Sequence, residues 1–110
     1  MGFGAALGVA LGEDAGETVR IADAEDISGG VTAELACYDR WTLLIHVAGA
    51  IDVTVELSPD GKATWYEIDE SPYSYGAAGD STNELGYDAT HIRLTGSNAT
   101  SVTAQIRGVW

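Results

Sequence analysis

The sequence predicts an all-β protein: an antiparallel two-sheet β-sandwich of the jelly-roll or Ig-like type, preceded by an extended N-terminal arm rich in glycine and alanine. Apolar and polar residues alternate strictly over residues 51–58, which is the period of a half-buried strand. About eight such segments follow one another at intervals of roughly 8–12 residues, and none has a helical period. The length of 110 residues fits one domain.

The arm is predicted over residues 1–16, and the sandwich domain over residues 17–110. Five glycines in the arm disfavour a helix. Phe3 and Leu7 make it more apolar than a solvated linker, so we expect them to contact a partner; a disordered leader is the alternative. No basic residue precedes the apolar stretch, which is also too short and glycine-rich to cross a bilayer. Neither a secretory signal nor a membrane partner is therefore expected.

Three strands are predicted before the middle of the chain. Inward and outward positions alternate over residues 17–23, and Ala22 is predicted to face outward. Residues 31–38 form a second strand, in which Cys37 lies on the buried face as a small hydrophobic residue. Residues 41–48 are more continuously apolar, which is typical of a central strand covered on both faces.

A β-hairpin over residues 51–68 is the element around which we expect the domain to be organised. Turn-forming residues at 58–62 separate its two halves. The second half, residues 63–69, is rich in β-forming residues, and Trp65 is expected to fill the core. The first half turns one set of side chains toward a second sheet: Ile51, Val53, Val55 and Leu57.

The C-terminal part of the chain mixes an irregular region with clear strands. Residues 69–81 contain Pro and Gly and are expected to be irregular, and residues 82–87 form a short strand. Residues 89–95 and 101–109 alternate clearly and form the last two strands. Trp110 closes the chain, either as an anchor at an interface or as a plug for the end of the sandwich.

The charge balance excludes one class of partner. The chain has 17 acidic and 5 basic residues and a formal net charge of −12, and such a surface repels nucleic acid. The acids are scattered among the predicted strands rather than gathered in a tail, so they do not indicate disorder. Abundant acid with a single lysine resembles the proteins of extreme halophiles. At molar salt the Debye length falls to about 3 Å, which screens the self-repulsion.

No catalytic or cofactor motif stands out. The chain lacks GxSxG, GxGxxG and P-loop sequences, so it is not expected to be an enzyme or to bind a nucleotide. His46 is expected in the core and His91 on a solvated or interface face, with no metal-binding spacing between them. No cofactor is predicted, but one acidic loop is a candidate structural calcium site. Its oxygen ligands would be Asp23, Glu25 and Asp26.

Two further features concern binding at the surface. Tyr66, Tyr73 and Tyr75 are close in sequence, and their rings could stack on sugar faces as a glycan-binding surface. The alternative is that they cover the edge of the core beside Trp65. Asn98 begins an Asn-Ala-Thr glycosylation sequon in a predicted turn.

Residues 41–110 resemble small β-sandwich structural modules of tailed-virus particles. The resemblance lies in the hairpin VTVELSPDGKATWYEID, the Tyr/Gly/Ala loop that follows it, and the closing segment ATHIRLTGSNATSVTAQIRGVW. With the halophilic composition, the chain resembles a virion protein of a haloarchaeal tailed virus, of the capsid decoration or turret type.

This resemblance implies a non-enzymatic protein of the particle surface. It implies a cyclic homo-oligomer, often a trimer, that decorates or stabilises a capsid at high salt, with the major capsid protein or other virion proteins as partners. A carbohydrate-binding or host-attachment module of a viral tail or fibre is the alternative, with glycans as partners.

Overall fold

The computed structural model describes residues 15–110. Phe3, Leu7 and nearly all of the predicted arm lie outside the described residues. No helix in the part of the chain that the structure describes has the length and apolarity needed to cross a membrane. The described strands are β1 (Gly16–Asp26), β2 (Val31–Glu34), β3 (Arg40–Val47), β4 (Ile51–Ser58), β5 (Tyr66–Glu67), β6 (Tyr73–Tyr75), β7 (Gly79–Leu85), β8 (His91–Gly96) and β9 (Ser101–Val109).

The strands form two antiparallel sheets that pack face to face, which confirms the predicted β-sandwich. The first sheet has the order β1-β9-β3-β7, and the second has the order β2-β8-β4-β5, with β6 also paired to β4. Both short strands lie along the same edge of β4 and together act as one interrupted strand. Counted in this way, eight strands make the two interleaved Greek keys of a jelly roll. The jelly-roll alternative is therefore the one that this topology matches.

The core lies between the sheets and is built from the inward-facing positions that alternation predicts. The predicted inward face of β4 is buried, with Val53 and Val55 fully inaccessible. Strands β8 and β9 also bury every second side chain, as their alternating sequences indicate. Their fully buried side chains are Ile92, Leu94, Val102, Ala104 and Ile106.

The first strand differs from its prediction because it contains irregularities. Its pairing with β9 shifts between Arg20 and Ala22 and again before Glu25. A bulge of this kind changes which side of the sheet the next residue faces. Ala22 was predicted to face outward but is only 1% exposed, so that prediction is wrong. The strand also runs on to Asp26, through residues predicted as a loop.

Two predicted core residues lie at the surface. Strand β2 ends at Glu34, and the Tyr38 N–H then bonds the Ala36 carbonyl in a turn, which leaves Cys37 exposed. Strand β3 buries only one face, because its other face is the outer surface of the first sheet. The side chain of His46 projects from that surface and is 59% exposed, so neither residue belongs to the core.

The predicted hairpin has the expected first strand but a longer turn. Strand β5 contains only two residues, and residues 59–65 form a loop. Asp60 organises this loop, since its carboxylate accepts hydrogen bonds from both the backbone and the hydroxyl of Thr64. These bonds, led by the one from the Thr64 hydroxyl, lower the pKa of the Asp60 carboxyl. Beyond β5, the region predicted as irregular contains β6 and the start of β7.

Gly108 provides a test of how the sheets close at one end. A Cβ atom placed on Gly108 would overlap the ring of Tyr38. We therefore expect Gly108→Ala to destabilise the fold by about 1–3 kcal/mol through overpacking, which lowers the melting temperature by roughly 4–8 °C per kcal/mol in a domain of this size.

Gly79→Ala is the matched control, because a Cβ at Gly79 in β7 meets no atom within 4 Å. It should leave the melting temperature nearly unchanged. Equal melting temperatures for the two variants, measured by circular dichroism, would contradict the packing of Tyr38 over Gly108.

Candidate functional site

One end of the sandwich collects both termini of the described chain and most of its accessible aromatic side chains. The loops 35–39, 59–65 and 86–90 all lie at this end, as the strand pairings require. The N–H of Trp110 donates to the carbonyl of Ala15 over 2.7 Å, so residues 1–14 continue from a point beside the C-terminal tryptophan. We call this region the aromatic end; it is defined by Tyr38, Tyr66, Tyr87 and Trp110.

Tyr38 and Trp110 form a stacked pair at the aromatic end. Their ring centroids are 5.3 Å apart with an interplanar angle of 27°, and Trp110 nevertheless remains 52% exposed. The Tyr38 hydroxyl donates to Glu17 Oε2 over 2.5 Å. Burial, followed by this contact with the Glu17 carboxylate, raises the pKa of Tyr38 to about 12. The phenol therefore stays neutral and holds the first strand to the stacked pair.

Tyr87 links this pair to the second sheet. The indole Nε1 of the buried Trp41 donates to the Tyr87 carbonyl over 2.9 Å. The Tyr87 hydroxyl donates to Glu70 Oε1 over 2.6 Å, and this bond is the largest cause of a raised Tyr87 pKa. Tyr87 thus fixes the loop 86–90 through its backbone carbonyl and through its side-chain hydroxyl.

Three shallow cavities adjoin this loop, and two of them are lined by aromatic side chains. The one beside Tyr66 has a volume of about 210 Å³, and the one beside Trp110 about 450 Å³. Tyr87 and Asp88 line both. The first, which we call the Tyr66 groove, has an apolar floor that includes Leu57 and Ile68 and carboxylates at its rim. Its lining combines the apolar side chains with the carboxylates of Glu67, Asp69 and Asp88, which can accept hydrogen bonds from a ligand.

The three tyrosines proposed as one glycan surface are not brought together. Tyr66 pairs with Leu57 at the aromatic end and is 63% exposed. Tyr75 pairs with Ile51 at the other end of β4, a separation of roughly 20 Å along the strand. Tyr73 and Tyr75 are partly buried against the core, so only Tyr66 presents an open ring.

Trp65 lies on the outside of the second sheet instead of in the core. The Arg93 guanidinium carbon lies 4.4 Å from its ring centroid, and Arg93 also pairs with Glu56 at 2.9 Å. Arg93 therefore holds Trp65 by a cation–π contact while its charge is balanced by Glu56. The prediction that Trp65 fills the core is wrong, because the loop that precedes β5 places its ring against Arg93 on the outer face of the sheet.

The candidate calcium ligands are engaged by their own strand and loop. Asp23 pairs with Arg20 at 2.8 Å, Glu25 accepts the Asp23 N–H, and Asp26 accepts the Ser28 N–H. That last bond lowers the pKa of Asp26. Within residues 15–110 no group of three or more His, Cys, Asp or Glu side chains is placed to hold a metal ion.

The histidines differ in their surroundings. His46 Nδ1 lies 2.5 Å from Asp80 Oδ1, and both side chains are mostly exposed, at 59% and 76%. The hydroxyl of Thr103, opposite His46 in the sheet, accepts the Ala24 N–H. His91, predicted on a solvated or interface face, contacts the Thr90 hydroxyl at 3.0 Å. Neither histidine lies in a water-excluded cavity of the kind that strengthens electrostatic catalysis.

Asn98 lies at the opposite end of the sandwich, in the turn between β8 and β9. Its side chain donates to the Ala50 carbonyl and accepts the Thr100 N–H. The sequon is exposed, and it is separated from the aromatic end by the length of the strands.

The sequence analysis missed Tyr38 and Tyr87 as members of this site. A signal for them was present, because successive loops of an antiparallel sandwich alternate between its two ends. The loops after β2 and β7 therefore share an end with the C-terminus, and each contains a tyrosine. The eight predicted strands already give this alternation, because β5 and β6 together act as one interrupted strand. What the sequence lacked was the strand order, which decides which of these loops are neighbours.

The raised pKa of Tyr38 gives a pH-dependent prediction. A phenol whose folded pKa exceeds its unfolded value contributes stability that is complete below pH 10 and is lost as the pH rises toward about 12. We expect wild-type protein to lose stability relative to Tyr38→Phe over that interval, in denaturant titrations at a series of pH values. Phenolate absorbance should show that the tyrosine with a pKa of about 12 in the wild type is missing in the variant. A constant stability difference across the interval would contradict this role.

Compared with protein-family models, with curated proteins and with solved structures, the chain matches none of them. The fold and the geometry of its aromatic end are therefore the observations on which a functional proposal rests.

Proposed function

We propose that this protein is a non-enzymatic structural component of a virus particle, which associates with itself and sits on a protein shell through its aromatic end. The observation that carries the proposal is the exposed Trp110, stacked on Tyr38 at the point from which residues 1–14 continue. A half-exposed tryptophan held rigid by stacking is the kind of anchor on which binding energy concentrates in protein interfaces.

Residues 1–14 are joined to the domain at the same place, because they precede Ala15 in the chain. Fourteen residues precede Ala15, and a chain of that length reaches at most roughly 46–50 Å when extended. Phe3 and Leu7 belong to this segment. An arm that starts beside Trp110 can therefore contact a neighbouring subunit that Trp110 also touches, and the two contacts reinforce each other.

The two ends of the domain differ in composition, as expected of a protein that sits on the surface of a particle. The aromatic end has the apolar groove and the exposed rings, whereas the opposite end has small and polar residues and the Asn98 sequon. Jelly rolls occur in viral capsid proteins and also in lectins, and this likeness is an analogy of fold alone. In the proposed orientation, the aromatic end lies against the shell and Asn98 faces the solvent.

Composition and site chemistry agree with a structural role at high salt. A net charge of −12 opposes close approach of identical subunits in dilute buffer, and molar salt screens that repulsion. The Tyr66 groove is lined by aromatic, aliphatic and carboxylate side chains, and the lining of the cavity beside Trp110 also includes the exposed Cys37. Exposed aromatic and aliphatic side chains at shallow cavities suit contact with a protein surface.

Replacing Trp110 tests the proposal. In about 2 M KCl, where surface repulsion is screened, we expect wild-type protein to associate with itself and with particle shells. Trp110→Ala should weaken both associations by about 2 kcal/mol, or roughly 30-fold in Kd. Trp110→Tyr keeps a ring against Tyr38 and should retain most of the affinity. Light scattering measures the self-association, and co-sedimentation measures the association with particle shells.

The arm has its own matched control. Phe3→Ser with Leu7→Ser removes two large apolar groups, and Ala5→Ser with Ala10→Ser adds the same hydroxyl groups without that loss. Only the first pair should weaken association. A wild-type protein that remains monomeric in molar salt and does not sediment with shells would overturn the proposed function.

Carbohydrate binding in the Tyr66 groove is a second candidate function, in the manner of a host-attachment module. The observation that favours it is the open ring of Tyr66 beside an apolar floor and the rim carboxylates of Glu67, Asp69 and Asp88. An aromatic ring can stack on the apolar face of a sugar while carboxylates accept bonds from its hydroxyl groups.

Two variants of Tyr66 test this candidate. Tyr66→Ala removes the stacking ring and should weaken glycan binding by about tenfold, the equivalent of roughly 1.4 kcal/mol. Tyr66→Phe keeps the ring and should bind nearly as well as wild type. A glycan array followed by calorimetry provides the measurement. Binding that is unchanged in Tyr66→Ala would exclude the Tyr66 groove as the glycan site.

A further inference from the structure

The Tyr66 groove has the size and the lining to receive one aromatic side chain. Its floor contains the buried Leu57 and Ile68, and Ala89 packs against the same core. The ring of Tyr66 stands beside this floor and is mostly exposed. The groove has a volume of about 210 Å³. A cavity of about 150 Å³ lined by Leu, Ile and Phe is already large enough to hold a benzene ring.

The rim of the groove limits the kind of segment that can bind. Its carboxylates belong to Glu67, Asp69 and Asp88, and none of the three salt bridges within residues 15–110 uses them. An acidic segment would be repelled by this rim. A segment whose backbone N–H groups are free can instead donate hydrogen bonds to these carboxylates. The groove therefore fits an apolar, uncharged segment with an aromatic side chain.

The first twelve residues of the chain have this composition. They contain no charged side chain and no proline, so their backbone keeps its N–H donors, and Phe3 is the aromatic residue among them. This segment joins the domain at Ala15, whose carbonyl accepts the Trp110 N–H. Twelve residue steps separate Phe3 from Ala15, and such a length reaches at most roughly 40–43 Å when extended.

We infer that the Tyr66 groove of one subunit receives the N-terminal segment of a neighbouring copy, with the ring of Phe3 on the apolar floor beside Tyr66. This inference rests on the self-association proposed above, and it assigns the site that the arm contacts. Tyr87 and Asp88 line both the groove and the cavity beside Trp110. The groove therefore adjoins the surface through which Trp110 is proposed to make contact.

The dimensions of the aromatic end allow this exchange. Four strands about 4.8 Å apart and two sheets about 10 Å apart give its backbone a width of roughly 20 Å, which is about half the reach of Phe3. An arm that leaves its own domain beside Trp110 enters the proposed interface directly. When two subunits face each other through their aromatic ends, each can supply one arm and one groove.

A peptide of residues 1–10 tests the groove without any self-association. The probe is acetylated at its N-terminus and carries a fluorophore at its C-terminus. The receptor is the full chain with Phe3→Ser and Leu7→Ser, whose own arm no longer competes. In about 2 M KCl, fluorescence anisotropy should show saturable binding. Phe3→Ser in the peptide and Tyr66→Ala in the receptor should each weaken binding at least about tenfold. Tyr66→Phe is the matched control and should change binding by less than about threefold.

A mixture of two variants tests whether a neighbour fills the groove. The chain with Phe3→Ser and Leu7→Ser keeps its groove, and the chain with Tyr66→Ala keeps its arm. Each variant alone loses both exchanged contacts, but a mixed pair restores one of them. Sedimentation with one variant labelled should show a mixed dimer at least about tenfold tighter than either homodimer. Mixed pairs that are no tighter than the homodimers would overturn docking onto a neighbour, because an arm that folds onto its own subunit gains nothing from mixing.

These experiments separate the arm site from the proposed function. Absence of peptide binding, or binding that is unchanged by the Phe3 and Tyr66 substitutions, overturns the groove as the site of the arm, even when association with shells through Trp110 is present. A wild-type chain that does not sediment with shells overturns the particle role. A mixed dimer that requires Phe3 and Tyr66 supports the exchange of arms in either case, once circular dichroism confirms that the variants fold.

Discussion

The structure depends on the last strand being paired between the first and the third. Strand β9 bonds to β1 along one edge and to β3 along the other, and its inward residues Val102, Ala104 and Ile106 are fully buried. The first sheet therefore cannot form until the C-terminal residues are in place. Such pairing between distant parts of the chain carries a large loop-closure entropy and is characteristically slow to form.

This pairing also produces the candidate site. Because β9 runs antiparallel to β1, the C-terminal Trp110 lies beside Ala15, the first described residue. Gly108 is the position in β9 that admits the ring of Tyr38, and Tyr38 in turn supports the indole of Trp110. The absence of a side chain at one strand position is thus what allows an aromatic pair to close this end of the sandwich.

Two surfaces of the domain arise in different ways. The aromatic end is made by loops and termini, and its rings come from four separate parts of the chain. The outer face of the first sheet is made by regular strands, so its composition follows from alternation once the neighbouring strands are known. The sequence already indicates that Arg20 and Arg107 face outward. It does not indicate that they lie on the same sheet, because strand order depends on long-range pairing.

Alternation by itself determined the inward residues of β4, β8 and β9, since a strand that covers a core must place every second side chain inside. Alternation gave wrong predictions of burial where the backbone departs from regular strand geometry. The bulges in β1 buried Ala22, the early end of β2 exposed Cys37, and the long loop before β5 moved Trp65 outside. Only the tertiary structure decided the jelly-roll order and the grouping of Tyr38, Tyr87 and Trp110. These features depend on hydrogen bonds between residues far apart in the chain, and the period of a single strand contains no information about its partner.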